Sequence, residues 1–217
     1  MIFIFTDPGV HGAISAIDEN EQILFSVGLV DGLPPKNFTL DLVNSPLKEK
    51  REIITIRSTR TLSGFIEDWH FGIEIADYKN VEVGKWKPRI KADGTAGKPT
   101  IITADKIYHS GIITGKIIHW FTERGVHDML QIKPREWQTI YKGFAGKDSK
   151  ERAFNCLKEK YCEFVLRKHA KCKNCYTPCP LKKHGIIGPR GGYVDGKGDS
   201  VCGALHLKNM VRQRKVR

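Results

Sequence analysis

The amino-acid sequence predicts an α/β protein with a mixed β-sheet flanked by helices. Three apolar segments open the chain, at about residues 2–7, 12–17 and 22–27, and the polar residues 18–21 between the last two suit a hairpin turn. The rest of the chain alternates helix-like and strand-like spacing of apolar residues. An antiparallel start followed by alternating helices and strands is typical of a mixed sheet with helices packed on it.

Regular apolar spacing predicts seven further elements after these three strands. In chain order they are a helix at 59–69, a strand at 71–76, a helix at about 105–124, a strand at 126–132, a short helix from Pro134, a helix that Ser149 caps and that reaches about Lys168, and a final helix from about Asp199. Residues 30–52 and 78–104 lack such spacing, so we expect two loops there. A loop as long as the second is usually functional or mobile.

Length and composition limit the class of protein. With 217 residues, of which 40% are hydrophobic, the chain is long enough for a single domain, 1–217, with a true core. No apolar run approaches the length of a membrane span, and no basic region precedes the first apolar segment, so we expect neither a membrane protein nor a signal peptide. We therefore expect a cytoplasmic protein, in which six cysteines favour metal binding or buried thiols over disulfides.

Basic residues are concentrated in the second half of the chain. The formal net charge is +12, and residues 142–190 alone contain 13 Lys or Arg against 4 Asp or Glu. A second basic cluster closes the chain at 212–217. A solvated surface that favours solubility would explain some of this charge, but so local an excess is typical of proteins that bind a phosphate backbone. We expect a nucleic-acid partner.

Four acidic residues stand where acidic residues are unusual. Asp7 ends the first apolar strand, Glu74 lies inside the apolar run 71–76, and Asp195 and Asp199 stand at the start of the last helix. A carboxylate on a buried strand is costly unless a cation compensates it. Carboxylates that converge from separate elements form an oxygen-rich site for Mg²⁺ or Mn²⁺.

Three of these acids also have a simpler interpretation. Asp7 precedes Pro8-Gly9 and would serve as a turn residue. Glu74 would be an edge-strand charge that points to solvent, and Asp199 would be a helix N-cap. The metal-site hypothesis depends on all of these acids meeting in one place.

The acidic segments and two basic ones follow one another in a definite order. They are Asp7-Pro8-Gly9, Glu74 on its strand, IKPREW at 132–137, GKDSK at 146–150 and DGKGDSVCGAL at 195–205. This order resembles the RuvC family of Holliday-junction resolvases, within the RNase H-like superfamily, and in particular its phage-borne members. The last two acids are four residues apart here, whereas bacterial members place them three apart. Either spacing brings two side chains to one side of a helix start.

The resemblance implies an RNase H-like fold and an endonuclease that cuts four-way (Holliday) DNA junctions by two-metal catalysis. It implies that Asp7 bridges two Mg²⁺ or Mn²⁺ ions, that Glu74 binds one of them, and that Asp195 and Asp199 bind the other.

The same resemblance implies roles for two lysines and a second copy of the chain. Lys150 would lie near the scissile phosphate, where its charge stabilises the developing pentacoordinate phosphate, and Lys147 would lie close by. Symmetrical cleavage of a four-way junction requires two active sites, which implies a C₂ homodimer. The helix at 105–124 is the candidate interface, although core burial explains its apolar character equally well. A phage-encoded resolvase would act in the host cytoplasm.

A cysteine-rich segment lies in the basic half of the chain, and we treat 162–190 as an insertion within the single domain. Cys172 and Cys175, in C-x-x-C spacing, would bind one tetrahedral Zn²⁺ together with Cys179. The fourth ligand could be His184, His169 or Cys162. An iron–sulfur cluster and unliganded thiols are the alternatives.

Two groups of basic residues are candidates for contacts with DNA. Lys171 and Lys173 lie beside the cysteines, so a metal-bound insertion would present them to DNA. In the loop at 78–104, Trp86 would stack on an exposed base of a junction, and its basic neighbours Lys85, Lys87 and Arg89 would contact phosphates. A surface loop with an incidental Trp is an equally good interpretation.

Other activities remain open at the level of the sequence. The same fold would suit a nuclease for flaps, replication forks or RNA–DNA hybrids, or a junction-binding protein without catalysis. An ATPase of the actin and sugar-kinase type also begins with Asp and Gly on a first hairpin. That fold needs two such domains, for which 217 residues are few.

Overall fold

A computed structural model describes residues 1–36, 38, 51–56, 60–65, 69–76, 103–162 and 179–215. In chain order the elements are β1 (Ile2–Asp7), β2 (Ala13–Asp18), β3 (Ile23–Gly28), β4 (Arg51–Ile56), β5 (Arg60–Phe65), β6 (Trp69–Glu74), α1 (Ala104–Thr122), β7 (Met129–Ile132), α2 (Pro134–Trp137), a 3₁₀ helix (Gln138–Tyr141), α3 (Ser149–Tyr161), α4 (Pro180–Lys183) and α5 (Asp195–Lys215).

Five strands form one mixed sheet in the order β3-β2-β1-β6-β7. β1 pairs antiparallel with β2, and β2 with β3, whereas β6 is parallel to both of its neighbours, β1 and β7. The predicted antiparallel start and the mixed sheet flanked by helices are confirmed. β4 and β5 form a separate two-stranded hairpin.

The predicted helix at 59–69 is wrong, because 60–65 is the strand β5 and Trp69 begins β6. The predicted loop at 30–52 also fails at its end, where Arg51 begins β4. Four of the six residues of β4 are β-branched, at positions 53–56, and such residues favour strands. The apolar residues at 59–69 have helix-like spacing, but the pairing of β5 with β4 makes residues 60–65 a strand.

Two helix boundaries also differ from the predictions. The N-cap of α3 is Asp148 and not Ser149, because the Asp148 side chain accepts a hydrogen bond from the Glu151 backbone N–H at 2.9 Å. α3 ends at Tyr161, before the predicted end near Lys168, since Cys162 adopts an extended conformation. The final helix begins at Asp195, one turn earlier than predicted.

The sheet is covered on both faces by apolar side chains. Phe3 and Phe5 of β1 pack into a core cluster with α5, and Ile4 between them points into a second cluster with Ile117 and Phe121 of α1. None of these five side chains is more than 1% exposed. Successive side chains of β1 therefore point into cores on opposite faces of the sheet. β1 is also the middle strand of the five.

Glycines let α5 approach the sheet closely. A Cβ atom on Gly203 would lie 2.1 Å from Cδ1 of Phe5, and one on Gly72 would lie 3.0 Å from Cδ2 of the same ring. At the polar end of this contact the Ser15 and Ser200 hydroxyls are 2.5 Å apart, and the Ser15 hydroxyl donates to Ser26 at 2.8 Å. The axis of α5 is thus fixed against β1 and β2 by shape and by buried hydrogen bonds.

An ion-pair network ties α3 and α5 to the turn between β2 and β3. Lys208, whose side chain is 3% exposed, donates from Nζ to Glu21 Oε1 at 2.5 Å, and Lys160 pairs with the other carboxylate oxygen. Burial opposes the ionisation of Glu21, but hydrogen bonds from the two lysines outweigh it and lower the pKa of this carboxyl. Tyr161 adds a hydrogen bond from its hydroxyl to the Glu21 carbonyl oxygen at 2.7 Å.

None of the helices within the described ranges is long and apolar enough to cross a membrane.

The contact between Gly203 and Phe5 leads to a first prediction. We expect Gly203→Ala to lower the free energy of unfolding by roughly 2 kcal/mol, because the new methyl group forces the Phe5 ring or α5 to move. Gly111→Ala is the matched control, since nothing lies within 4 Å of a Cβ atom at Gly111 in α1. That control gains up to about 1 kcal/mol of helix propensity. Urea unfolding followed by circular dichroism measures both, and equal effects would contradict the proposed packing.

Candidate active site

Asp7 and Glu74 end two neighbouring parallel strands. In the ladder between β1 and β6, Thr6 is paired with Ile73, so the next residue on each strand is one of these acids. Both residues are partly exposed, at the end of the sheet where the two strands are followed by loops. Since β6 lies between β1 and β7, the interpretation of Glu74 as an edge-strand charge is wrong.

The loop after Asp7 is a tight turn that requires glycine. The Gly9 N–H donates to the Asp7 carbonyl at 3.0 Å, and a Cβ atom on Gly12 would lie 2.0 Å from the same oxygen. A Cβ atom on Gly196, in the first turn of α5, would lie 1.9 Å from the His11 carbonyl oxygen. The start of α5 therefore lies directly against this loop.

This packing brings the last two acids to the first two. Asp195 and Asp199 are one helical turn apart in α5, so their side chains leave the helix on the same side. The charges of Asp195, Asp199 and Glu74 all reach Asp7 and raise its pKa. Asp199 lies in the second turn of the helix, so its interpretation as an N-cap is also wrong.

Three of the acids each have a separate partner. The Trp137 indole N–H donates to Glu74 Oε2 at 2.7 Å, and the Tyr193 hydroxyl donates to Asp199 Oδ1 at 2.8 Å. Asp195 forms an ion pair with Lys150, whose side chain is 63% exposed. These contacts fix the orientation of the carboxylates from three directions, namely α2, the segment before α5 and α3.

The acids are short of compensating positive charge. Burial, followed by the charges of Glu74, Asp199 and Asp195, raises the pKa of Asp7 to about 8. Burial also raises the pKa of Asp199, to about 6, against the opposing hydrogen bond from Tyr193. Burial raises the pKa of Glu74 despite its bond from Trp137. A site that holds several carboxylates at such cost is typical of cation binding or acid–base chemistry.

The chemistry of this donor set fits a hard divalent cation, because it consists of carboxylate oxygens alone. The side chains do not yet form a coordination shell: within the described residues, no three His, Cys, Asp or Glu are placed to hold one metal ion. The hydrogen bonds of Glu74 and Asp199 draw them toward separate partners. Shared ligation would therefore require side-chain rotation, while the strand ends and α5 stay in place.

Lys150 reaches the acids from the first turn of α3. Its pKa is raised by the hydrogen bond that its ammonium group donates to Asp195 and then by the charge of that carboxylate, so it remains an ammonium ion. The Lys147 side chain is exposed just before the helix, and its backbone N–H donates to Glu151 Oε2 at 2.8 Å. The structure thus brings Lys150 into contact with Asp195. Lys147, three residues earlier in the sequence, is exposed on the surface.

The predicted zinc ligands are described only in part. Cys179 is 6% exposed in the core beneath α4, and its sulfur lies 3.5 Å from that of Cys162. His184 ends α4, and its carbonyl oxygen accepts from Lys197 at 3.4 Å. The described part of the predicted insertion 162–190 consists of Cys162 and 179–190, and it packs into the main core through Leu181, Ile186 and Ile187.

The remaining predicted residues lie outside the described ranges. They are Lys85, Trp86, Lys87, Arg89, His169, Lys171, Cys172, Lys173 and Cys175.

Sequence reasoning did not assign roles to Trp137 and Tyr193. Trp137 lies in the IKPREW segment, but nothing in the sequence indicates that its indole faces Glu74, 63 residues earlier. Tyr193 precedes the acidic helix by two residues, and its hydroxyl reaches Asp199 in the second turn. An aromatic residue with a polar tip beside an acidic motif is a weak signal that could have singled out Tyr193.

No protein-family model matches this chain, and a comparison with curated proteins finds no relative.

The raised pKa of Asp7 leads to a prediction about stability. The ordinary pKa of an aspartate carboxyl is 3.8, and burial and the neighbouring carboxylates raise that of Asp7 to about 8, so the folded state holds the proton more tightly. Its contribution to stability is complete below about pH 4 and is lost as the pH rises to about 8. Without divalent cations, the free energy of unfolding should therefore fall over this range, and Asp7→Asn should remove this part of the fall.

Urea unfolding in EDTA at pH 5 and pH 8 measures this difference. Each unit of pKa difference corresponds to about 1.4 kcal/mol, and relaxation reduces the full value. We expect the advantage of Asp7→Asn over the wild type to grow by roughly 2–4 kcal/mol between the two pH values. Asp128→Asn, at an exposed position before β7, is the control. An advantage that is constant with pH would contradict the assigned pKa.

Proposed function

We propose that this protein is a metal-dependent endonuclease of the RuvC type that hydrolyses phosphodiesters at four-way DNA junctions. The observation that carries the proposal is the convergence of Asp7, Glu74, Asp195 and Asp199 from two parallel strand ends and one helix. Among the described residues, Lys150 forms an ion pair with Asp195, and its charge also lowers the pKa of Asp199 in part against the effect of burial. Such a site would gain stability from a divalent cation.

The architecture supports an RNase H-like fold. The mixed sheet has an antiparallel start and is flanked by helices, as the resemblance implies. Asp7 and Glu74 lie at the carboxyl ends of β1 and β6, and the start of α5 brings Asp195 and Asp199 to them. Ligand sites of open α/β sheets are commonly found outside the carboxyl ends of their strands.

Mg²⁺ or Mn²⁺ would be held by the four carboxylates. Bound divalent ions supply activation of the attacking water and stabilisation of the leaving 3′ oxygen. Because the pKa of Asp7 is about 8, this residue carries a proton at neutral pH before it binds a cation, and it must release that proton to become a ligand. Trp137 and Tyr193 each donate a hydrogen bond to one of these acids, Glu74 and Asp199, and these bonds would have to adjust as the side chains rotate to bind an ion.

Lys150 would act on the phosphate itself. Its ammonium group is mostly exposed and is paired with Asp195, so a change of side-chain rotamer can turn it toward an incoming phosphate. Positive charge placed where negative charge develops lowers the energy of the transition state. Lys147 and the basic residues of 142–190 would hold the DNA backbone around it.

Two further parts of the proposal concern assembly and the cysteine-rich segment. Symmetrical cleavage of a junction requires a C₂ homodimer, in which two copies present their sites to opposite strands. The cysteine-rich segment would bind a structural zinc ion and present Lys171 and Lys173 to DNA.

The decisive experiment offers the protein labelled four-way junction, flap, RNA–DNA hybrid and linear duplex, each with Mg²⁺ and with EDTA. We expect paired symmetrical nicks on the junction alone, dependent on Mg²⁺. Asp7→Asn, Glu74→Gln and Asp199→Asn should each lower the cleavage rate by about 10³-fold or more, because each removes a metal ligand. Asp128→Asn should cleave like the wild type.

Other outcomes identify the alternatives. Cleavage of flaps or hybrids in preference to junctions would replace the junction substrate, and equal cutting of linear duplex would end the resolvase proposal. Tight junction binding without cutting under any metal would indicate a binding protein without catalysis.

A separate prediction concerns Lys150. Lys150→Gln should lower the single-turnover cleavage rate by about 10²-fold and change junction affinity by less than about threefold, because the charge acts on the transition state. Lys150→Arg should recover part of the rate. Lys142→Gln, at an exposed position of the same basic stretch, is the control for general loss of charge. Equal losses of affinity in both Gln variants would reduce Lys150 to an ordinary phosphate contact.

A further inference from the structure

A short hairpin leads the chain into the acidic helix α5. Its two arms meet at an isolated antiparallel bridge between Ile187 and Tyr193, and we call it the 187–193 hairpin. Tyr193 is also the residue whose hydroxyl donates a hydrogen bond to Asp199 at 2.8 Å. The base of this hairpin is therefore joined directly to the candidate active site.

The turn of the 187–193 hairpin is held in one shape by its own backbone. The Gly191 N–H donates to the Gly188 carbonyl at 2.9 Å, and the Gly188 N–H donates to the Gly192 carbonyl at 2.9 Å. Pro189 restricts φ at the second position of the turn. Gly191 has a φ of 80°, in the left-handed region that favours glycine. Whatever side chain stands at the tip is thus presented from a fixed backbone.

That side chain is Arg190. The residue is exposed, and no described residue forms an ion pair or a hydrogen bond with its side chain. Other cations near the site and the core are already engaged, since Lys150 pairs with Asp195 and Lys208 pairs with Glu21. Arginine carries five N–H donors in a planar fork that matches a phosphate. Arg190 can therefore bind an anion without first breaking a contact to another described residue.

Packing on two sides fixes the base of the hairpin beside α3 and α5. A Cβ atom on Gly198 would lie 2.1 Å from Cε2 of Tyr193, so the ring rests directly on the first turns of α5. On its other side the Tyr193 ring packs against Phe154 of α3, with the ring centroids 5.4 Å apart. Phe154 is four residues after Lys150, so the two share one face of α3. The hairpin thus lies beside the helix turn that carries the proposed phosphate contact.

The tip of the hairpin is close to the acids on the scale of a DNA strand. Arg190 is three residues before Tyr193, and three residues span at most about 11 Å even when fully extended. A strand of B-DNA advances by about 3.4 Å per nucleotide. A phosphate bound by Arg190 would therefore lie only a few nucleotides from one held at Asp199.

We propose that Arg190 binds a backbone phosphate of the DNA substrate a few nucleotides from the cleavage site and so positions the strand over the acids. This inference rests on the proposed function, since it requires DNA at the candidate active site. A charge on a fixed hairpin away from the reacting phosphate holds the substrate and the transition state equally. Arg190 therefore contributes to affinity and to the choice of the bond that is cut, whereas Lys150 contributes to the rate.

The first test measures binding of a four-way junction in EDTA, without cleavage, over a range of salt concentrations. Arg190→Gln removes one phosphate contact, so the slope of log affinity against log salt should become shallower by about 0.9. The same loss should lower affinity roughly fivefold to tenfold at about 0.1 M salt. Arg190→Lys keeps the charge and should keep the slope. The control is Lys36→Gln, at an exposed position near Phe38 in the core cluster on the other face of the sheet, and it should bind like the wild type.

The second test measures Mg²⁺-dependent cleavage of the same junction over a range of junction concentrations, with each nick mapped to its nucleotide. We expect Arg190→Gln to raise KM roughly fivefold to tenfold, to leave kcat within about twofold, and to spread the nicks over neighbouring phosphodiesters. Lys150→Gln should do the reverse, with slow cleavage at the wild-type position. Equal losses in Arg190→Lys and Arg190→Gln in both tests would overturn the proposal, because a phosphate contact depends on the charge that the Lys variant retains.

The outcomes separate this inference from the proposed function. Weaker and less salt-dependent binding by Arg190→Gln, in a protein that never cleaves DNA, contradicts only the nuclease. Cleavage by Arg190→Gln with the wild-type affinity, salt slope and nick positions contradicts only this inference. A wild-type protein that binds none of the DNAs contradicts both.

Discussion

The close approach of α5 to β1 is the constraint on which the rest of the structure depends. It is made possible by residues without side chains, because a Cβ atom on Gly203 would lie 2.1 Å from the Phe5 ring and one on Gly196 would lie 1.9 Å from the His11 carbonyl. The first contact fixes the helix over the centre of the sheet, and the second fixes its start against the loop after Asp7. Because the same helix contributes to the core and carries Asp195 and Asp199, core packing and site geometry cannot vary independently.

The acids themselves oppose this arrangement. Desolvation and mutual repulsion raise the pKa values of Asp7, Glu74 and Asp199, so the fold stabilises their protonated forms in the absence of a cation. The structure tolerates the cluster because Trp137 and Tyr193 donate hydrogen bonds to two of the carboxylates. A cluster of carboxylates that lowers the stability of the fold is typical of functional sites. Binding of a divalent cation would raise that stability again.

The basic half of the chain is attached to the same framework. Lys150 extends from the first turn of α3 to Asp195, while the other end of α3 carries Cys162 to its contact with Cys179. A single helix therefore connects the proposed phosphate contact with the contact between Cys162 and Cys179. Lys160 and Lys208 hold the framework to the β2–β3 turn through Glu21, whose lowered pKa keeps it charged. Displacement of α3 would move Lys150 and the cysteine pair together.

The sequence by itself determined the first three strands, the mixed sheet and the positions of the acids, because alternating apolar residues and a carboxylate at a strand end are local patterns. It did not determine the hairpin at 51–65, where pairing between β4 and β5 overrides a helical spacing, or the start of α5 at Asp195, which depends on close contact with the His11 loop. Only the tertiary structure decided that Trp137 binds Glu74, that Tyr193 binds Asp199 and that Cys162 faces Cys179. The first contact joins residues 63 positions apart, and the last bridges a 17-residue separation. Which side chains meet across such distances depends on how helices and strands pack, and no local pattern records that packing.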